Sequence, residues 1–346
     1  MLVPASSEDT IGYDVLVIAT GTKARTALWT MPGPGSEGLK GAEQATHREW
    51  ESIRTKLQNL QSGAHPHHTI LVAGGGPVGV ETTGEIASWL KAEGKTEGVT
   101  VTLLSGTDKL LKRNCSEGLG RKAEGYLRNK FGALVEVVHN LKVVAVTAAD
   151  PIPGPGAGEG LEEQTVTETI VTLSDGSTKT VAVYIDATGG NGNADAFLPE
   201  TWLDETDRIL TKDAYFRVRG SSERQNDPQA YGIYAVGDVV SGSANTLIET
   251  NAQIPVVCSS IGADLAATII GPNAQNGEKS VKLPGPLRQK TFKNKLSGTL
   301  LVPIGPGGGV GQVLGVSVPS FMVKKAKAQD FMIGMAEPAV NGKQWK

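Results

Sequence analysis

The sequence predicts an α/β protein built on parallel sheet, and three stretches carry that reading. Residues 69–86, TILVAGGGPVGVETTGEI, run from an apolar strand through a glycine turn into a helix with an apolar stripe. A second apolar strand, Val99–Leu104, follows where a βαβ unit delivers it. Two further apolar strands end alike, in Ala19-Thr20-Gly21 and Ala187-Thr188-Gly189, as crossover points between two such sheets would.

In chain order, Tyr13–Ala19 reads as a strand, 30–40 as a Gly/Pro loop and His47–Leu60 as an amphipathic helix. After the βαβ unit come a helix near Ser116–Phe131 and strands at Leu134–Val138 and Leu141–Ala148. Residues 150–164, DPIPGPGAGEGLEEQ, lack the apolar content to pack and read as an exposed insertion. Strands resume at Val166–Leu173, turn at Asp175-Gly176 and continue over Thr180–Ala187. Gly232–Val239 is a buried strand that delivers Asp238 at its carboxyl end, where ligands of open α/β sheets sit. A helix from about Ile254 to Ile270 follows, then strands at Leu300–Ile304 and Gly311–Val316.

The glycine turn, Gly74-Gly75-Gly76-x-x-Gly79, carries the chemistry. Its glycines suit a tight turn, close approach of backbone to phosphate, and close packing of helix on strand. Free N–H groups and the positive end of the helix dipole would meet a dinucleotide pyrophosphate there. A phosphate-free turn is the plain alternative, and the flanking strand and helix favour the dinucleotide. Past the second strand, an acid would bond a ribose 2′-hydroxyl and repel a 2′-phosphate. Here the chain has Ser105-Gly106, with Lys109, Lys112 and Arg113 behind, so the cofactor is written NAD(P)H. A solvated charged loop explains those basic residues equally well.

At 346 residues the chain has room for two domains, and a net charge of -3 gives no footprint for nucleic acid. Cys115 and Cys258 stand apart and outside any C-x-x-C, so no dithiol centre, zinc ribbon or disulfide scaffold is expected. The cluster His65-Pro66-His67-His68 lacks metal-ligand spacing. Neither a signal peptide nor a transmembrane run is legible, which makes a cytoplasmic protein the expectation. Lys324, Lys325 and Lys327 beside Phe321, Met322, Phe331 and Met332 suit either a membrane surface or a helix with its apolar face on the core and lysines in water.

The order of Ala19-Thr20-Gly21, the GGGxxGxE of Gly74–Glu81 and Ile233-Tyr-Ala-Val-Gly-Asp238 resembles the flavoprotein oxidoreductases with two dinucleotide domains. More narrowly it resembles the apoptosis-inducing-factor-like, or ferroptosis-suppressor-like, NAD(P)H:quinone oxidoreductases. The tail, Gly308-Gly-Val-Gly-Gln312 with Pro319-Ser-Phe-Met-Val and Asp330-Phe, is similar to the C-terminal segment of that family.

The resemblance implies two Rossmann-like domains with a small α+β C-terminal segment. The FAD-type domain would comprise 1–64 and 187–285, the NAD(P)H domain 65–186, and the C-terminal interface segment 286–346. Gly74, Gly75, Gly76 and Gly79 would hold the NAD(P)H pyrophosphate, Ser105 would lie by its ribose, and Glu81, in the first helical turn, would face the nicotinamide. Thr20, Gly21, Thr188 and Gly189 would line the crossover points. Asp238, beside Gly237, would take the FAD ribityl chain, and the helix N-terminus at Gln253 and Pro255 would face the flavin pyrimidine. Family members begin with another βαβ unit carrying its own GxGxxG, whereas this chain begins about one hundred residues later, so the FAD-type domain reads as incomplete.

The implied activity is hydride transfer from NAD(P)H through FAD to a quinone or similar small acceptor. The different-class alternative is a flavin-free member acting as a non-redox small-molecule enzyme, a nucleotide-binding protein or a partner subunit. A homodimer and peripheral membrane contact stay open.

Overall fold

The computed structural model describes residues 12–24, 53–58, 60, 67–112, 115–149, 152–153, 165–166, 168–220, 230–269, 289–293 and 298–341. In chain order the first strands are β1 (Leu16–Ile18), β2 (Thr22–Ala24), β3 (Thr69–Ala73), β4 (Thr100–Ser105), β5 (Val135–His139) and β6 (Val143–Ala148). Next come β7 (Ile152–Pro153), β8 (Thr165–Val166), β9 (Thr169–Leu173), β10 (Thr178–Val181), β11 (Val183–Asp186), β12 (Gly190–Gly192) and β13 (Ile233–Ala235). The last are β14 (Leu300–Pro303), β15 (Gly309–Val313) and β16 (Val316–Val318). The helices used below are α1 (Pro77–Ala92), α2 (Glu117–Phe131), α3 (Leu247–Ile269), α4 (Ser320–Val323) and α5 (Ala336–Val340). Two compact units result, one of 1–23 with 190–296 and the other of 24–189 with 297–346.

In the second unit β11, β3, β4 and β5 lie side by side in that order, every pairing parallel. Parallel strands covered on both faces need apolar residues at every position. Strand β3 obeys: Ile70, Leu71 and Val72 have no exposure and Ala73 only 2%. Ile70 and Val72 join the core under α1 and α2, while Leu71 and Ala73 join a second core with Val171, Leu173 and Val181. That second layer is the antiparallel sheet β10-β9-β6.

Helix α1 buries Val80, Thr83, Gly84, Ala87 and Leu90, a stripe at helical spacing. Helix α2 buries Leu119, Ala123, Leu127 and Phe131, and Gly132 ends it with a φ of +58°. The C-terminal sheet β14-β15-β16 belongs to the same unit, and its Val302, Ile304 and Val310 complete the core under α1 and α2. Each of these burials contributes about 1.5–3 kcal/mol. Gly84 makes the fit, because a Cβ there would lie 2.7 Å from Ile304 Cα.

In the first unit β1 runs parallel to β13, and β2 pairs with β12. Ile18, Ile209, Val218, Ile233, Tyr234 and Val256 form its core. Arg217 clamps that core to α3, with Nε and Nη2 each donating to the Asp264 carboxylate at 2.7 Å. Tyr234 donates its hydroxyl to the same carboxylate.

Three expected elements divide or move. The strand read as Thr180–Ala187 is two, because Val181, Ala182 and Val183 are all buried and the chain passes there from the antiparallel layer to the parallel one. The strand read as Gly311–Val316 contains a hairpin turn, with left-handed φ at Leu314 (+50°) and Gly315 (+81°). The helix expected from Ile254 starts at Leu247, with Pro255 inside it. Thr246 Oγ1 accepts from Glu249 N at 3.2 Å and Glu249 Oε2 from Ala244 N at 2.7 Å, so this T-x-x-E segment fixes the start two turns early. Residues 53–58 of the helix expected at His47–Leu60 are helical. The loop at 30–40 and most of the 150–164 insertion lie outside the described residues.

Candidate functional site

At the carboxyl end of β3 the chain makes the glycine turn, and each glycine has a different neighbour. Gly74 has a φ of +124°, and a Cβ on it would lie 2.3 Å from Ala187 O, against the strand end of β11. A Cβ on Gly75 would meet Ser105 Oγ at 2.6 Å, and one on Gly79 would meet Gly74 O at 1.8 Å. Gly76 differs: nothing lies within 4 Å of its Cβ position. It is also the N-cap of α1, has extended backbone and makes no side-chain cap hydrogen bond, and Pro77 follows it. The helix start therefore presents backbone N–H groups to an open face free of side chains, which fits a pyrophosphate.

Around the turn, Gly74 N donates to Leu104 O at 2.8 Å and Leu111 N to Gly75 O at 2.8 Å. Thr188 donates its N–H and hydroxyl to Asp186 Oδ1, at 2.8 and 2.6 Å. Thr188 and Gly189 (φ +92°) therefore leave β11 immediately beside Gly74. Ser105 lies at the expected strand end but faces inward, at 1% exposure. Its Oγ is shared among Thr107 Oγ1 at 3.2 Å, Lys109 O at 3.2 Å and Thr107 N at 3.4 Å. Of the basic residues behind it, Lys109 pairs with Glu117 and Lys112 with Asp108, while Arg113 lies outside the described residues.

Glu81 lies one turn deeper in α1 than expected, since the helix begins at Pro77. Lys327 of the C-terminal segment donates to Glu81 Oε1 at 2.6 Å and also to Leu301 O at 3.3 Å. Burial pushes the Glu81 carboxyl above its ordinary range, against the pull of Lys327. Sequence reading left Lys327 either on a membrane surface or in water. Its position instead follows from a π-helical stretch, Lys324–Ala328, that turns Lys327 inward while Lys324 and Lys325 stay exposed. The apolar side chains expected on the core face, Phe321, Met322, Phe331 and Met332, are exposed, and the buried residues of this segment are Val323 and Ala328. Phe331 and Met332 hold left-handed φ of +50° and +60°, a strain of the kind that concentrates at functional sites.

In the first unit, the 3₁₀ turn Gly237–Val239 follows β13 and places Asp238 half-buried at the strand end. Burial raises its carboxyl pKa, with the Arg208 charge opposing. Gly237 has a φ of +86°, and its N–H donates to Gln253 Oε1 at 2.6 Å. Gln253 is thus a buried side chain in the second turn of α3, and the helix start expected there belongs to Leu247. Thr20 and Gly21 accept from Asn193, whose N–H donates to Gly21 O at 3.1 Å and whose Nδ2 donates to Thr20 O at 3.5 Å. The Asp238 carboxylate, which accepts no side-chain hydrogen bond among the described residues, fits the hydroxyls of a ribityl chain.

His67 Nδ1 lies 2.7 Å from Glu168 Oε2, and His65 is outside the described residues. Cys115 Sγ donates to Leu111 O at 2.8 Å, and burial pushes its thiol pKa up, the opposite of a reactive thiolate. Among the described residues no helix is long and apolar enough to cross a membrane.

Parallel strands around a glycine turn with an open, uncapped helix start define a Rossmann-like α/β protein. Residues 2–254 match the pyridine nucleotide-disulphide oxidoreductase family, and the chain belongs to that family. It is 30% identical to Oxidoreductase phnG of Penicillium herquei over 337 residues, covering 95% of this chain and 70% of that protein. It is 27% identical to Oxidoreductase ptaL of Pestalotiopsis fici over 323 residues, covering 93% of this chain and 68% of the other. Among solved structures, the sulfide:quinone oxidoreductase of Aquifex aeolicus superposes on 74% of this chain at 18% identity, with a TM-score of 0.48. The chain spans 55% of that structure's length.

Proposed function

We propose that the protein is an NAD(P)H oxidoreductase that uses FAD to reduce a quinone or similar small acceptor. The open face of Gly76 carries this reading. Only there does the turn leave the helix N-terminus unobstructed, while its other three glycines are packed against backbone or Ser105. Gly74 to Gly79 would bind the pyrophosphate through backbone N–H groups. Asp238 would hold the ribityl hydroxyls of FAD by accepting hydrogen bonds, and Gly237 would let the backbone approach. When bound, FAD supplies the hydride acceptor and electron carrier that no side chain can provide.

The protein's own contribution is orientation and charge. Glu81 and Lys327 form a half-buried charge pair one turn beyond the turn, suited to fixing a polar group of a bound nucleotide or acceptor. The exposed Phe331 and Met332 that follow Lys327 support an apolar acceptor.

The test is Gly76→Val. A Cβ there has no protein atom within 4 Å, so melting temperature should hold while calorimetric affinity for NADH and NADPH falls at least about tenfold. Unchanged affinity overturns the reading. For the flavin, reconstituted protein should turn yellow and bleach with NAD(P)H, and Asp238→Ala should lose flavin more readily without losing dinucleotide.

A further inference from the structure

We propose that Lys142 selects the 2′-phosphorylated dinucleotide, its stem lying against the position where NADH-specific sites place a ribose-binding carboxylate. The inference rests on reading Gly74–Gly79 as the dinucleotide turn.

In such units the adenosine ribose lies past the strand that neighbours the turn, here β4. Two residues follow there. Ser105 is closed to a ligand, its hydroxyl buried and shared within the loop. Gly106 has no side chain, and the space beside it is filled by Lys142. A Cβ built on Gly106 would lie 2.8 Å from Lys142 Cγ, 3.4 Å from Cδ and 3.0 Å from Cε. The lysine stem thus lies along the backbone where an acidic side chain at position 106 would have to stand.

The backbone that presents Lys142 is fixed from both sides. Asn140 N donates to Thr107 O and Leu141 N to Ser105 O, each at 3.1 Å, tying the end of β5 to the β4 loop. Lys142 N donates to Ser174 Oγ at 3.1 Å, and Ser174 N donates to Lys142 O at 2.8 Å. Its charge also has no partner among the described residues. Lys109 and Lys112 pair with Glu117 and Asp108, at 3.3 and 3.0 Å. Lys142 is exposed and has no carboxylate partner among the described residues. A phosphate dianion would gain a charge-assisted contact from it, whereas a bare 2′-hydroxyl gains little.

The test measures calorimetric affinity for NADPH, NADH and adenosine 2′,5′-bisphosphate at low salt. It compares wild type with Lys142→Met, which keeps the stem on Gly106, and with Gly76→Val. Wild type should bind NADPH more tightly than NADH. Lys142→Met should weaken NADPH and the bisphosphate by about tenfold or more while NADH changes less than about twofold. Added salt should erode the NADPH preference of wild type and leave the variant unaffected. Equal effects on both dinucleotides, or a wild type that favours NADH, overturn the role of Lys142 and leave the turn intact. Binding of neither dinucleotide to wild type overturns the turn assignment and Lys142 with it.

Discussion

Lys327 Nζ lies 2.6 Å from Glu81 Oε1, joining residues 246 positions apart on the helix that follows the glycine turn and on the C-terminal segment. Their side chains are 27% and 17% exposed, so the pair is neither a solvated surface contact nor a fully desolvated one. Its contribution should fall between those limits.

Lys327→Met should therefore cost about 1–3 kcal/mol at neutral pH, measured by urea unfolding. The cost should depend on pH. Burial already holds the Glu81 carboxyl above its unfolded pKa, and losing the lysine raises it further. A group raised in the folded state binds its proton there first, so stability falls as pH rises through the folded pKa. The variant should thus recover part of its loss in acid, whereas Glu81→Gln with Lys327→Met should show no such recovery. A deficit independent of pH would remove Glu81 from the account.

Gly84→Ala tests the seating of the C-terminal sheet. Its Cβ would stand 2.7 Å from Ile304 Cα, which is backbone and cannot swing aside. A loss of about 1–3 kcal/mol is expected although alanine is the better helix former, and a gain in stability would show that β14 is not held where it lies.

Asp264 should set part of the acid limit of the first unit. Its hydrogen bonds from Arg217 and then Tyr234 hold the carboxyl below its ordinary pKa, against burial. A lowered carboxylate stabilises above its unfolded pKa, and that stability is lost as pH falls through the folded pKa. Asp264→Asn should cost about 1–2 kcal/mol at pH 7, the low end for a partly exposed charged bond, and flatten the acid limb of stability against pH. Parallel acid limbs for the two proteins would count against it.

Deleting residues 317–346 should uncover the β14–β15 sheet and lower stability by about 3–5 kcal/mol, through loss of Val323 burial and the Lys327 pair. Dinucleotide binding at Gly74–Gly79 should persist. Rapid proteolytic removal of this segment with an unchanged melting temperature would make it a detachable tether.

The glycine turn was legible because its determinants are local: glycine spacing, a buried strand before it and a helix after it. The start of α3 was equally local, written as Thr246-x-x-Glu249, but Pro255 offered a competing signal that the packing overrides. Lys142 and Lys327 could not be read from sequence. Each acquires its neighbour through a long-range path, by sheet register for Gly106 and by the π-helical offset for Glu81. The hairpin at Leu314-Gly315 was hidden because leucine rarely adopts the left-handed backbone it holds there.

Because 190–296 is threaded between the two parts of the other unit, that unit cannot close in the order in which it is made. The α1–α2 face emerges from the ribosome early, yet Val302, Ile304 and Lys327 follow only after about 10–40 s of further synthesis. Until then the apolar stripe of α1 and the Glu81 carboxylate share an unfinished surface. In the cell, this nascent face is where holdase chaperones should engage the chain, and release should coincide with arrival of the last sheet.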